Sequence, residues 1–226
     1  MNDDDLVISF LSDIVTEKRL ERIEEIIARR TRYLTLVLED IYQSQNASAV
    51  LRTCECFGVQ DVHIIENFNS YNINPMVVQG SDKWLSIHRY NQSENNSKQA
   101  VDRLKSDGYR IIATSLDADS IDLDNLDIET GKCAIVFGNE HQGVSEYLIE
   151  QADERVKIPM YGFTQSLNIS VSAGIIISQL MQRIKNSVAG WRLTDAEQKT
   201  LRLEWLKNSV KNPQMLINHL WQRTYL

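Results

Sequence analysis

The feature that most constrains this chain is a recurrence of short, largely apolar runs separated by helical stretches. Residues 34–38, 62–65, 110–114 and 133–137 read as buried strands, and 155–159 makes a fifth, closed by Pro159. Helices are expected between them at about 47–57, ended by Gly58, at 96–107, ended by Gly108, and at 144–151 and 170–186. Strand–helix alternation at this spacing predicts an α/β fold, a parallel sheet flanked by helices on both faces. A chain of 226 residues has room for one such domain with small helical appendages.

The appendages show a different pattern. Leu20, Ile23, Ile26 and Ile27 recur at helical spacing among charges, which predicts an amphipathic helix over about 16–32. Thr194-Asp195-Ala196-Glu197 is a capping box opening a helix to about Lys207, and Asn212-Pro213 starts a last helix. The apolar patch at 6–11 has no assigned role. The expected organisation is an N-terminal extension with a basic helix over 1–32, an α/β domain over 33–187 and a helical extension over 188–226.

Net charge is −7, which taken alone argues against a nucleic-acid partner. Its distribution changes that argument. Residues 100–160 hold 13 Asp and Glu against 6 Lys and Arg, whereas 18–32 hold 6 basic against 3 acidic and 183–226 hold 8 against 3. Basic ends around an acidic middle fit either a phosphate footprint or a pair of solvated helix faces. The cysteines, Cys54, Cys56 and Cys133, suggest neither a disulfide framework nor a zinc site. With no apolar run of membrane-spanning length and an acidic start, Met1-Asn2-Asp3-Asp4-Asp5, the expected location is the cytoplasm. The four histidines show no metal-ligand spacing, and no metal is expected.

Ligands of open parallel sheets gather where strand carboxyl ends meet the following loops, and three such loops are chemically rich. In the first, 43–52, Asn46 is placed as a helix N-cap. Arg52 stands in an otherwise small and apolar helix, either paired with an acid or offered to a phosphate or carboxylate. The second, Gly138-Asn139-Glu140-His141-Gln142-Gly143, flanks a carboxylate with glycines, and Glu140 could meet a ligand or orient Arg52. The third, 161–174, runs through Ser166 and Asn168 into a helix start, either a hydrogen-bonding cradle or ordinary capping. Dinucleotide and phosphate-loop glycine fingerprints are absent, which disfavours a nucleotide-binding enzyme without RNA.

Taken together and in order, these loops resemble the motifs of the TrmH branch of the SPOUT methyltransferases, over about Leu20 to the C-terminus. Asn46-x-x-Ala49-x-x-Arg52-Thr53 looks like the first motif, and Gly138-Asn139-Glu140-x-x-Gly143 with Ile158-Pro159-Met160 like the second. Ser166-Leu167-Asn168-x-Ser170-x-x-Ala173 looks like the third. The resemblance implies a C-terminal deep trefoil knot, a homodimer and S-adenosylmethionine as cofactor. It places cofactor contacts at Thr114, Gly138, Asn139, Glu140, Gly143, Ile158, Pro159 and Leu167, and catalysis at Asn46, Arg52, Glu140, Ser166 and Asn168. Arg52 would act on the ribose hydroxyl as a base or bind and orient the substrate.

Arg19-x-x-x-Ile23 through Ala28-Arg29-Arg30, Ser81-Asp82-Lys83-Trp84 and the tail through Glu204-Trp205-Leu206 resemble the members acting on guanosine 18 of tRNA. Arg19, Arg22, Arg29, Arg30 and Arg52 are the expected RNA contacts. The expected activity is therefore methyl transfer to a ribose 2′-hydroxyl of tRNA. The alternatives are ribosomal RNA, another tRNA position, or a noncatalytic RNA-binding protein of this fold. A dimer is also expected because the tail residues Leu216, Ile217, Leu220 and Trp221 need covering.

Overall fold

The computed structural model describes residues 3–224 and divides into two units, Thr31–Trp191 and a smaller one drawn from Met1–Arg30 and Arg192–Leu226. In the larger unit the strands are β1 (Leu34–Glu39), β2 (Asp61–Ile65), β3 (Ser86–Tyr90), β4 (Tyr109–Thr114), β5 (Ile121–Asp122), β6 (Lys132–Phe137) and β7 (Glu154–Lys157). They form one parallel sheet in the order β3-β2-β1-β6-β4-β7-β5. All residues of β1 and β2 are buried, as strands covered on both faces must be.

Alternate residues of each strand serve two cores. Leu34, Leu36 and Leu38 face helices α3 (Ser44–Phe57) and α7 (Ile169–Ser187), which contribute Ala47, Val50, Leu51, Ile176, Ile177 and Leu180. Val37, Ile111, Ala134 and Val136 face α5 (Asn96–Ser106) and α6 (Glu146–Gln151), through Val101, Leu104 and Leu148. A single-turn helix, α4 (Pro75–Val78), packs on α3. β3 carries no apolar run: it is the sheet's edge, paired on one side, with His88 and Arg89 exposed. The fifth expected strand ends at Lys157, so Pro159 lies beyond it.

The smaller unit consists of α1 (Asp3–Ile14), α2 (Glu17–Ile27), α8 (Asp195–Ser209) and α9 (Pro213–Thr224). The patch at 6–11 belongs to α1, which buries Val7 and Leu11 four residues apart and sets three aspartates at its positive N-terminal end. Lys199 pairs with Asp5 at 2.5 Å and Arg202 with Glu24, tying α8 to α1 and α2. The capping box of Thr194 and Glu197 opens α8 as expected. Ile217 is buried and Leu216, Leu220 and Trp221 are half-buried, so covering the tail requires no second chain. Among the described residues no helix is long and apolar enough to cross a membrane.

On the face of the β2–β3 pair that α5 covers, His63 is buried, its Nδ1 2.8 Å from the Tyr90 hydroxyl and its ring stacked 4.6 Å from His88. Burial, helped by the charge of His88, lowers its pKa to about 4. The unfolded chain thus takes up a proton near pH 6.5 that the folded chain refuses until about pH 4. Stability is full above about pH 6.5 and falls by about 3 kcal/mol as pH drops through this window. Urea unfolding from pH 7 to 4 should show that slope, and His63→Phe should flatten it. An equal slope in the variant would assign the acid lability to other groups.

Candidate active site

The chemistry-bearing loops converge at the carboxyl ends of β1, β4, β6 and β7, where the sheet's strand order departs from chain order. They surround a cavity of about 770 Å³, within the size range of small-molecule and cofactor sites. Four of the expected catalytic residues, Asn46, Glu140, Ser166 and Asn168, line it together. So do Thr114, Gly138, Asn139, Gly143, Ile158 and Leu167 of the expected cofactor set, whereas Pro159 does not.

Glu140 organises the polar wall. One carboxylate oxygen accepts from the Tyr42 backbone N–H at 2.8 Å, and the other from the Asn46 side-chain amide at 2.8 Å and the Gln43 N–H at 3.2 Å. Burial pushes this carboxyl up, but the bonds from Asn46, Tyr42 and Gln43 outweigh it and hold it below the usual carboxylate range. Asn46 in turn accepts from the Asn168 amide at 3.0 Å. Asn168 caps α7, its side-chain oxygen accepting from the Ser170 N–H at 2.9 Å and the Ser170 hydroxyl at 2.6 Å. This fixed chain, Glu140 to Asn46 to Asn168, joins three loops that lie far apart in sequence.

The structure corrects two readings here. Asn46 is not an N-cap, because α3 begins at Ser44 after Gln43 and Asn46 is turned inward to Glu140. Nor does Glu140 orient Arg52. Arg52 is exposed, lies outside the cavity, and makes no hydrogen bond or ion pair among the described residues. The core face of α3 is Ala47, Val50, Leu51 and Cys54, and Arg52 points away from it. Ser166 likewise makes no hydrogen bond among the described residues and stands at the cavity wall.

The 138–143 loop closes on itself through reciprocal backbone bonds between Asn139 and Gly143, 2.9 and 2.8 Å. A β-carbon on Gly138 would lie 2.0 Å from the Gly143 backbone, so only glycine fits there. The Asn139 amide donates to the Asp40 carbonyl at 2.7 Å. Asp40, at φ 50°, also accepts three successive backbone N–H groups of Asn67, Phe68 and Asn69 on one carboxylate oxygen. Sequence reading missed Asp40, and also missed Ser115, Asp117, Lys157 and Ser172 in the cavity wall. The donors to Asp40 lie 27–29 residues away, so no local pattern marks it.

The expected RNA contacts diverge. Arg19 and Arg22 border an open surface along α2 with Lys18, and Arg22 and Arg29 both pair with Glu25. Arg30 is fully buried, its guanidinium 5.1 Å from the centre of the Trp205 ring, and so is not available to a phosphate. Among the described residues no group of His, Cys, Asp and Glu is placed to hold a metal ion.

Comparison with known proteins accounts for this loop set. A protein of Borreliella burgdorferi named tRNA (guanosine(18)-2'-O)-methyltransferase is 49% identical over 96% of this chain and 98% of its own length. The crystal structure of the TrmH/SpoU tRNA modifying enzyme of A. aeolicus superposes with a TM-score of 0.75, at 33% identity over 87% of this chain and 98% of that one. The SpoU methyltransferase AviRb of Streptomyces viridochromogenes, solved with AdoMet, shares the fold at a TM-score of 0.60 and 22% identity, covering 73% of this chain and 62% of that one. The pattern of the SpoU rRNA Methylase family matches residues 33–178, the stretch that supplies the sheet and all three loops, and the chain belongs to that family.

Proposed function

We propose that this chain transfers a methyl group from S-adenosylmethionine to the ribose 2′-hydroxyl of guanosine 18 in tRNA. The observation that carries this reading is the wall of Glu140, Asn46 and Asn168 at one cavity with Ser166, in a chain so similar to a protein of that name. The cavity lining fits the cofactor: apolar Leu116, Ile149, Val156 and Ile158 suit a flat purine, while uncharged amides, hydroxyls and backbone groups suit a ribose. Thr114, Gly138, Asn139, Gly143, Ile158 and Leu167 would hold it, with Pro159 shaping the strand exit. When bound, S-adenosylmethionine supplies an electrophilic methyl group on its sulfonium.

The remaining chemistry is alignment of one hydroxyl, whose proton passes to water as its oxygen takes the methyl, and positioning contributes most. Glu140 keeps the Asn46 and Asn168 amides in a single orientation, and Ser166 has a hydroxyl free for the ribose. The planar guanidinium of Arg52 engages the phosphate beside the target ribose. Arg19 and Arg22 on α2, with Arg29 in the turn after it, attract the tRNA backbone. The catalytic body is the segment 33–187, with extensions at 1–32 and 188–226, and its C-terminal part forms the deep trefoil knot. Val171 and Ile175, exposed one turn apart on α7, support a homodimer, and the enzyme acts in the cytoplasm.

The test supplies purified chain with methyl-labelled S-adenosylmethionine and, separately, unmodified tRNA and ribosomal RNA. Label should enter tRNA alone, as 2′-O-methylguanosine at position 18. Asn46→Ala should cut the rate by about a hundredfold, because it removes the link between two walls of the site. Label in ribosomal RNA only, or in neither, overturns the reading.

A further inference from the structure

Two aromatic side chains at the cavity rim stand almost wholly in solvent. Tyr161 is 97% and Phe163 109% exposed, although such rings commonly bury roughly 150–250 Å² each. They flank Gly162 in the loop between β7 and α7, and their neighbours Met160 and Gln165 line the cavity. Neither makes a hydrogen bond or ring contact among the described residues. No Asp, Glu, Lys or Arg occurs from Ile158 to Gln182, so the segment that carries the rings has no charge of its own to repel a phosphate or offer an ion pair to a protein.

We propose that Tyr161 and Phe163 form an aromatic platform on which unstacked bases next to the target ribose stack; this rests on RNA methyl transfer as the activity. A ribose inside a cavity requires its nucleotide to leave the helical stack, which exposes flat base surfaces. RNA-binding proteins commonly cover such surfaces with aromatic rings, and stacking tolerates any base because every base has a π-face. The geometry favours a base over a second copy of the chain. Val171 and Ile175 are 49% and 37% exposed, lying partly against their own surface as residues of a flat protein interface do. Tyr161 and Phe163 instead stand clear of their own surface and offer ring faces to a planar ligand.

The test uses the full chain, S-adenosylmethionine and unmodified tRNA. Tyr161→Ala and Phe163→Ala should each raise the KM for tRNA about tenfold, the effect of losing one base–aromatic contact. The single-turnover rate at saturating tRNA should fall less. Phe163→Trp should restore the KM, and Phe163→Leu, apolar but without a ring face, should not. S-adenosylmethionine affinity by calorimetry and mass by light scattering should stay as in wild type. A leucine variant as good as wild type, a drop to half mass, or lost cofactor affinity each overturns the platform. The last two outcomes assign the rings to a second copy and to the cofactor. Active wild type with indifferent alanine variants defeats the platform alone, whereas wild type that transfers to no RNA defeats the parent reading and the platform with it.

Discussion

Gly138→Ala should abolish S-adenosylmethionine binding and lower stability by about 3 kcal/mol, at the upper end of overpacking costs. The added carbon would sit 2.0 Å from the carbonyl carbon and oxygen of Gly143 and 2.1 Å from the Val144 nitrogen. These are backbone atoms held by the reciprocal Asn139–Gly143 bonds, so no side chain can swing aside. Relief requires opening the loop, which would also pull Asn139 from Asp40 and shift Glu140 relative to Asn46. Gly143→Ala is the informative control. Its φ of +74° costs an alanine about 1–2 kcal/mol, but the new carbon meets nothing within 4 Å. Thermal unfolding with cofactor calorimetry on both variants should therefore separate them. If Gly138→Ala melts and binds like wild type, the close approach at this loop is wrong.

Arg52→Ala is expected to leave unfolding and cofactor affinity unchanged while lowering single-turnover transfer on the order of a hundredfold or more. The physical reason is that Arg52 has no structural task in this chain. It is exposed, without a hydrogen bond or ion pair among the described residues, and outside the cavity that would hold the cofactor. Any large effect of its removal must then act through the RNA. Arg52→Lys should recover little, because a point charge does not reproduce a planar, two-pronged contact with a phosphate. Methyl transfer near the wild-type rate in Arg52→Ala would remove Arg52 from the site. Loss of cofactor affinity would instead place its role in the protein's own structure.

How far the sequence could be read depended on whether burial or pairing shaped each element. β1, β2, β4 and β6 were legible because a strand covered on both faces must be apolar along its length. β3 was not, since an edge strand buried on one side can carry Ser86, His88 and Arg89. Two corrections were available in the periodicity itself. Ala47, Val50, Leu51 and Cys54 follow the spacing of a helix face that leaves Arg52 outside, and Arg30 continues in sequence the spacing of Ile23 and Ile27, all three being buried although α2 ends at Ile27. Reading those arginines by charge and composition alone left Arg52 open between an acid partner and a phosphate, and counted Arg30 among the RNA contacts.

The sequence by itself determined the sheet's buried strands, the helices between them, the capping of α7 and α8, and the three loops that carry the chemistry. These depend on residues within a few positions of one another, so local spacing contains them. Only the tertiary structure decided how the loops meet. Glu140 reaches Asn46 across 94 positions, Asn168 reaches Asn46 across 122, and Asn139 reaches Asp40 across 99. Those contacts arise because β6 inserts between β1 and β4 and brings the carboxyl ends of distant strands side by side. A hydrogen bond needs its partner within about 3 Å in space, whatever the separation along the chain.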